Sequence, residues 1–525
     1  MSSSRLVATA LVALTSIGTL SAATPRGVTG VIATPTEILL TGDAGNEPLQ
    51  IVEVRAYEFS GSAGQPRLSE VAPGRFNLRL PRWAGLHDRA YSSFMATAKS
   101  SGTQIGTNHF VDEFQGLVRN EEPFPTVASK KGLQVQMIDD ALELGVKHAA
   151  LNVNLTSLIG EPNHSASLGW TNRGGAIFWF HRGRIESLDR QIKRLSDNRV
   201  LVSLIILAYQ SAQAEQNRLM LHPRYDTRAP NHLGAFNTET EEGVDRLAGS
   251  MEFLAERYSR VDQQLGRAVN FIIGNEINSH WFWYNMGLAS MEAVADAYLR
   301  AVRICHTAVR QHSAAARVYI SLEHHWNIRY PGGTDRQSFA GRPFVEYLNR
   351  AAKSQGDFDW HLAFHPYPEN LFECRTWKDK TATLRFETPR ITFKNLEILV
   401  SFFQREELRY RGQPRRIILS EQGFHSTQKP EGEQLQAAAY AYAYYRVAHL
   451  AGIDAFILHR HVDHPAEGGL NLGLWKRDPS GKPATRKEIY EVFRHADMPD
   501  WEQHFAFALP IIGIASWTEI KPALR

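Results

Sequence analysis

From about residue 130 onward the chain alternates helical-period segments with short, almost continuously apolar runs. The helical segments are Met137 to Leu144, Ile185 to Leu195, Glu241 to Tyr258, Met291 to Gln311, Pro343 to Ala352, Leu396 to Tyr410, Leu435 to Leu450 and Lys487 to Arg494. The apolar runs between them are Val146 to Leu155, Arg199 to Leu207, Val269 to Gly274, Arg317 to Leu322, Asp359 to Phe364, Arg416 to Leu419 and Ile453 to Leu458. These runs lack the in–out alternation of a half-solvated strand and read as strands buried on both faces, the mark of a parallel sheet covered by crossover helices. An eighth strand is expected near Gly106 to Phe110, before the first helix. Eight such units spread over residues 101–497 predict an α/β fold of the (β/α)₈ TIM-barrel type. No glycine-rich phosphate fingerprint follows the first strand, which argues against a nucleotide-binding doubly wound sheet.

The flanks differ from this pattern. Arg5, the short apolar stretch Leu6 to Leu20 and the small residues Ser21-Ala22-Ala23 predict a cleaved signal peptide over residues 1–23, and so a secreted or periplasmic protein. Residues 24–100 carry short strand-like runs between Gly-, Pro- and Asn-rich turns, with no helical period, and predict a small all-β, sandwich-like domain. Residues 498–525 form an aromatic tail expected to pack on the barrel or on the β domain. The formal net charge of +3 gives no basis for nucleic-acid binding. No membrane span is expected, because Phe507 to Ser516 is about half the needed length and contains Pro510. Cys305 and Cys374 fall in a helix and a distant loop, are not expected to pair, and have no catalytic context.

Two glutamates end apolar runs. Glu276 stands in Val269-Asn270-Phe271-Ile272-Ile273-Gly274-Asn275-Glu276, and Glu421 in Arg416-Ile417-Ile418-Leu419-Ser420-Glu421-Gln422-Gly423. Both carboxyls fall where a barrel strand opens onto its catalytic face, and a pair of carboxyls there is the minimum equipment for cleaving a glycosidic bond. Counting from the first expected strand, they end strands four and seven.

Asn275-Glu276 on strand four with a second glutamate on strand seven resembles the retaining glycoside hydrolase clan built on (β/α)₈ barrels. The string Gly274-Asn275-Glu276-Ile277-Asn278-Ser279-His280-Trp281 also resembles an uncharacterised bacterial glycoside-hydrolase-like group with no known substrate. The clan resemblance covers the barrel and implies Glu276 as general acid/base, Glu421 as nucleophile, and Asn275 on the sugar 2-hydroxyl. It further implies that Tyr367, in His365-Pro366-Tyr367-Pro368 at the end of strand six, donates to Glu421, with His365 lining the sugar site. Clan members commonly carry a Trp on strand eight. This chain has His459-Arg460-His461 there, so Trp475 from the following loop is expected to supply the platform, and Arg460 with its histidines suits an anionic sugar.

Asn152, Asn154 and Tyr209 at early strand ends, and Trp281 and Trp326 on later loops, complete the expected cleft, since aromatic faces stack on sugar rings. Glu323-His324-His325 invites a metal reading, but neighbours on a strand face opposite ways, so convergence is not expected and no metal or cofactor is assigned. Glu323 is the carboxyl that would displace Glu421 if the strands were miscounted. The expected substrate is an oligo- or polysaccharide. Two other readings stay open: a non-catalytic carbohydrate-binding barrel, and an esterase, the latter disfavoured because no Gly-x-Ser-x-Gly elbow ends a strand.

Overall fold

The computed structural model describes residues 26–58 and 64–523. The expected signal segment, residues 1–23, lies outside them. Eight parallel strands close into a barrel: β1 (Lys131–Gln134), β2 (His148–Asn154), β3 (Leu201–Leu207), β4 (Ala268–Ile273), β5 (Arg317–Glu323), β6 (Trp360–His365), β7 (Ile417–Gln422) and β8 (Ile453–Leu458). Helices α1 (Ile138–Glu143), α2 (Arg182–Asp197), α3 (Glu241–Tyr258), α4 (Met291–Arg310), α5 (Gly341–Ser354), α6 (Leu396–Phe403), α7 (Gly432–Ala448) and α8 (Glu488–His495) surround it.

Every residue of β3 and β4 is buried, as expected for strands covered on both sides. Side chains pointing inward, among them Ile205, Ile272, Tyr319, Ile418 and Ile457, fill the barrel as a packed core. Those pointing outward meet the apolar stripes of the helices. In α4 that stripe runs Val294, Tyr298, Ala301, Cys305 and Ala308 at three- and four-residue spacing. Ser290 caps the helix by accepting the Ala293 N–H.

The first barrel strand differs from the sequence expectation. Gly106 to Phe110 belongs to Gln104–Phe110, which pairs with Ser93–Ala98 in a sheet of the N-terminal region. The barrel instead closes through β1, where Gly132 pairs with His148 on one side and Ile457 on the other. A side chain at Gly132 would come 2.9 Å from both neighbours, so only glycine lets the strands meet there. The order of the remaining strands is unaffected: β4 leads to Glu276, and Glu421 lies in β7.

The N-terminal region holds two four-stranded sheets. One orders Glu113–Phe114, Gly27–Ala33, Glu37–Asp43 and Arg75–Pro81; the other orders Arg67–Val71, Leu49–Val54, Ser93–Ala98 and Gln104–Phe110. Val31, Ile38, Leu40, Leu49, Ile51 and Phe94 form the core of this region. The second sheet therefore runs past residue 100, because its edge strand was the one read as the start of the barrel. The tail packs on the barrel layer, with Trp501 and Trp517 set against Tyr445 of α7. Both cysteines are buried and unpaired. Among the described residues no helix is long and apolar enough to cross a membrane.

A buried polar network joins the two regions. Arg82 donates to Asp88 at 2.8 Å and to Gln311 of the barrel side, while Tyr91 donates to Glu252 of α3. Burial pushes the Glu252 carboxyl up to about 7, against the pull of the Tyr91 hydroxyl. A carboxyl raised on folding stabilises fully below its unfolded pKa, and that contribution is lost as pH rises through the folded value. Stability should therefore fall by roughly 3 kcal/mol, at ~1.4 kcal/mol per unit, between about pH 4.5 and pH 7. Glu252→Gln should flatten this dependence in denaturant titrations; an unchanged slope would contradict it.

Candidate active site

Glu276 is placed by the way β4 ends. Gly274 turns with φ +70°, and a side chain there would strike Tyr284. Glu276 itself takes the left-handed conformation, φ 44° and ψ 55°, which is uncommon for a non-glycine residue. Its N–H is held by the Ser321 hydroxyl of β5 at 3.1 Å. This local bend directs a carboxyl that would otherwise continue the strand alternation toward the barrel axis. The residue is only 8% exposed.

Three elements converge on the two carboxyls. His365, the last residue of β6, bonds the Glu276 Oε1 through Nδ1 at 2.8 Å and the Ser420 Oγ through Nε2 at 3.0 Å. Tyr367 donates its hydroxyl to Glu421 Oε1 at 3.3 Å. Gln134 of β1 donates to Glu421 Oε2 at 3.2 Å. A carboxylate oxygen of Glu276, one of Glu421 and a ring nitrogen of His365 all lie within 4.8 Å of one another.

The two carboxyls are driven apart in acidity. Burial raises Glu276 above the ordinary glutamate range, and the charges of Glu421 and Glu323 add to this, outweighing the His365 hydrogen bond. Burial also acts upward on Glu421, but the fields of His459 and His365 and the Gln134 hydrogen bond overcome it and hold Glu421 below the ordinary range. Burial disfavours the charged form of His365, yet its bond to Glu276 and the carboxylate fields leave it raised. The pair titrates as a unit, with the first proton leaving from the Glu421 side.

A second chain of contacts supports Glu421. Gln134 accepts from His459 Nδ1 at 2.7 Å, and His459 Nε2 meets Glu467 at 3.3 Å. Arg460 also pairs with Glu467. Its charge is thus already neutralised, which removes the expectation that it stands ready for an anionic sugar. His461 is buried and bonded to Asp140 of α1, a structural attachment.

The remaining expected residues divide. Asn275 is buried beside Glu276. Asn154 accepts the Tyr209 N–H at 3.1 Å, and both residues line a polar hollow of about 570 Å³ at the ends of β2 and β3. Asn152 borders a smaller hollow together with Gln134, His459 and Arg460. Trp326 does not face the cleft: it is fully buried, with its ring edge-on to Phe402 of α6, in the layer between barrel and helices. Trp475 donates to Asp140 at 3.0 Å and lies edge-on to Tyr490 of α8, so it serves the α1–α8 junction and is not the missing platform. Trp281 is buried at 8% exposure, which leaves little face for a sugar ring.

Gln134, Ser420 and Ser321 were not singled out from the sequence. Gln134 ends a strand too short and too polar to stand out, and Ser420 is marked only by preceding Glu421.

Glu323 does not compete with Glu421. Asn278 and Ser279 donate to its Oε1 at 2.7 and 2.9 Å, and His325 donates its N–H and Nδ1–H to Oε2 at 2.9 and 2.6 Å. Burial acts upward on it, but His325 and His324 hold it down to about 2. The expectation that Glu323, His324 and His325 diverge fails because β5 stops at Glu323 and the chain bends at His324. Their ligating atoms lie within 4.8 Å of one another.

Residues 123–520 match the profile of a family of unknown function, DUF5722. The chain belongs to that family. The match takes in the whole barrel, with both glutamates, and the tail that packs on it, but not the N-terminal sheets. No curated protein sequence matches the chain. Solved structures similar to this family member include a family 39 glycoside hydrolase from Bacteroides cellulosilyticus WH2, at 13% identity and TM-score 0.45, covering 89% of this chain and 81% of that one. A β-glucosidase from Pyrococcus furiosus is 15% identical with TM-score 0.45, covering 71% and 86%. A family 1 β-glucosidase from Thermotoga maritima is 12% identical with TM-score 0.43, covering 68% and 84%.

Gln134→Leu should leave the fold intact and raise the titration of Glu421. Carboxyl ¹³C resonances of labelled glutamate would read the shift; a Glu421 titration unmoved by the substitution would contradict the role given to Gln134.

Proposed function

We propose that this protein is a secreted glycoside hydrolase that cleaves a β-glycosidic bond with retention, through a glycosyl-enzyme intermediate. The observation that carries the reading is the pair itself: Glu276 and Glu421 bring carboxylate oxygens within 4.8 Å of each other at the ends of β4 and β7. Retaining enzymes place their carboxyls about 5–5.5 Å apart so that one can attack the anomeric carbon directly; inverting enzymes leave about 6.5–9.5 Å for a water.

The opposed acidities support the division of roles. Glu421, held ionised, attacks the anomeric carbon and the glycosidic bond breaks, while the protonated Glu276 gives its proton to the departing oxygen. Glu276, now a carboxylate, takes a proton from water, whose oxygen attacks the anomeric carbon and releases Glu421. Tyr367 and Gln134, one on each oxygen of Glu421, fix the carboxylate for in-line attack. His365 couples the two ends of the site, bonded to Glu276 on one side and to Ser420, next to Glu421, on the other. Asn275 stands beside the acid/base, where a sugar 2-hydroxyl would be recognised. Export through the N-terminal segment belongs to the same reading, since an oligo- or polysaccharide is met outside the cell.

A non-catalytic carbohydrate-binding barrel is the second reading, and substitution separates the two. Glu421→Gln should cut glycoside hydrolysis by at least about 10³-fold and Glu276→Gln by about 10²–10⁴-fold, with the fold intact by circular dichroism. Aryl glycosides whose leaving group departs without a proton should largely escape the Glu276→Gln loss in their first step. Turnover unchanged in both variants would overturn the proposal.

The rate against pH should be bell-shaped. Its acid limb should lie below the ordinary glutamate pKa, from Glu421, and its alkaline limb above it, from Glu276. In Glu276→Gln the alkaline limb should disappear; its persistence would mean that another group supplies the proton.

A further inference from the structure

Beside the catalytic pair, the bend at the end of β5 gathers Glu323, His324 and His325, at 5%, 6% and 4% exposure. The two imidazole rings lie 4.4 Å apart, tilted by 35°. Among the described residues, neither ring nitrogen of His324 has a hydrogen-bond partner, and neither has His325 Nε2. Buried imidazole nitrogens are rarely left this way, because each forgoes water without a replacement. Three orphaned nitrogens on two adjacent rings point to a ligand that His324 and His325 share.

The chemistry of the group selects the ligand. Glu323 is saturated by its four donors, from Asn278, Ser279 and His325. Its bond to His325 Nδ1 fixes the tautomer and leaves the Nε2 lone pair outward, the carboxylate–histidine arrangement that orients metal-binding imidazoles. His324 supplies the second nitrogen. Glu323 and Glu369 place negative charge near it, against the positive charge of Arg390. At this degree of burial there is no room for a sugar ring.

We propose that His324 and His325, oriented and charge-balanced by Glu323, bind a divalent first-row transition cation, for which Zn²⁺ is the natural probe. Two nitrogen donors suit such borderline ions better than Mg²⁺ or Ca²⁺, which favour oxygen. Zn–N bonds of about 2.0–2.1 Å bridge at most about 4 Å between two donors, and the two rings, with centroids 4.4 Å apart, already bring a nitrogen of each within 4.8 Å. The other cluster that could hold an ion, Glu276, His365 and Glu421, is less suited, because both His365 nitrogens are already engaged.

The test is titration of metal-free full-length protein with ZnCl₂ against a chromogenic chelator. One equivalent should bind. His324→Ala and His325→Ala should each weaken binding at least tenfold, Glu323→Gln should weaken it about 10–100-fold, and Glu421→Gln should leave it unchanged. Because the histidine variants remove buried rings and could unfold, anomalous scattering at the zinc edge from crystals of the unaltered protein gives a second readout, with a peak expected between His324 and His325. No stoichiometric binding, a peak at Glu276–His365–Glu421 instead, or equal affinity in folded His324 and His325 variants would each overturn the proposal.

Discussion

Two carboxyl groups whose oxygens lie within 4.8 Å, one of them buried, cannot both carry full charge cheaply. Much of the architecture around the barrel mouth answers that constraint. Glu421 receives Gln134, Tyr367 and the fields of two histidines, which favour its charged form. Glu276 receives burial and the repulsion of Glu421 and Glu323, which favour its protonated form. The left-handed turn at Glu276, the glycine before it and the serine that anchors its N–H are the backbone cost of bringing the two together.

This division depends on strands far apart in sequence. Gln134 comes from β1, Glu276 from β4, His365 from β6 and Glu421 from β7, and the barrel brings them to one end because every strand runs the same way. Closure is therefore what assembles the candidate site. Gly132 permits β1 to sit against β2 and β8, and so delivers Gln134 to Glu421 and His459.

Most of the barrel was legible because strands buried on both faces leave continuous apolar runs, as in Leu201 to Leu207. The first strand left no such mark: Lys131-Gly132-Leu133-Gln134 is four residues long, half of them polar. Gln104–Phe110 resembles a strand more closely and is one, but in another sheet. The glutamates, His365 and Tyr367 were legible from their places at strand ends. The aromatics were not: whether Trp326 or Trp475 faces a sugar or a helix depends on how the chain bends after the strand, which no period in the sequence encodes. The same blindness hid the convergence of Glu323, His324 and His325, since the chain bends at His324, just past the end of β5, and strand alternation no longer applies there.

The central claim is that the spacing and opposed acidities of Glu276 and Glu421 commit the site to double displacement. The anomeric configuration of the first-formed sugar tests it most directly, followed by ¹H NMR during turnover of a panel of aryl β-glycosides. The account predicts that the β-anomer appears first and the α-anomer grows in only by mutarotation. An α-anomer formed first, or no turnover across the panel, would contradict it.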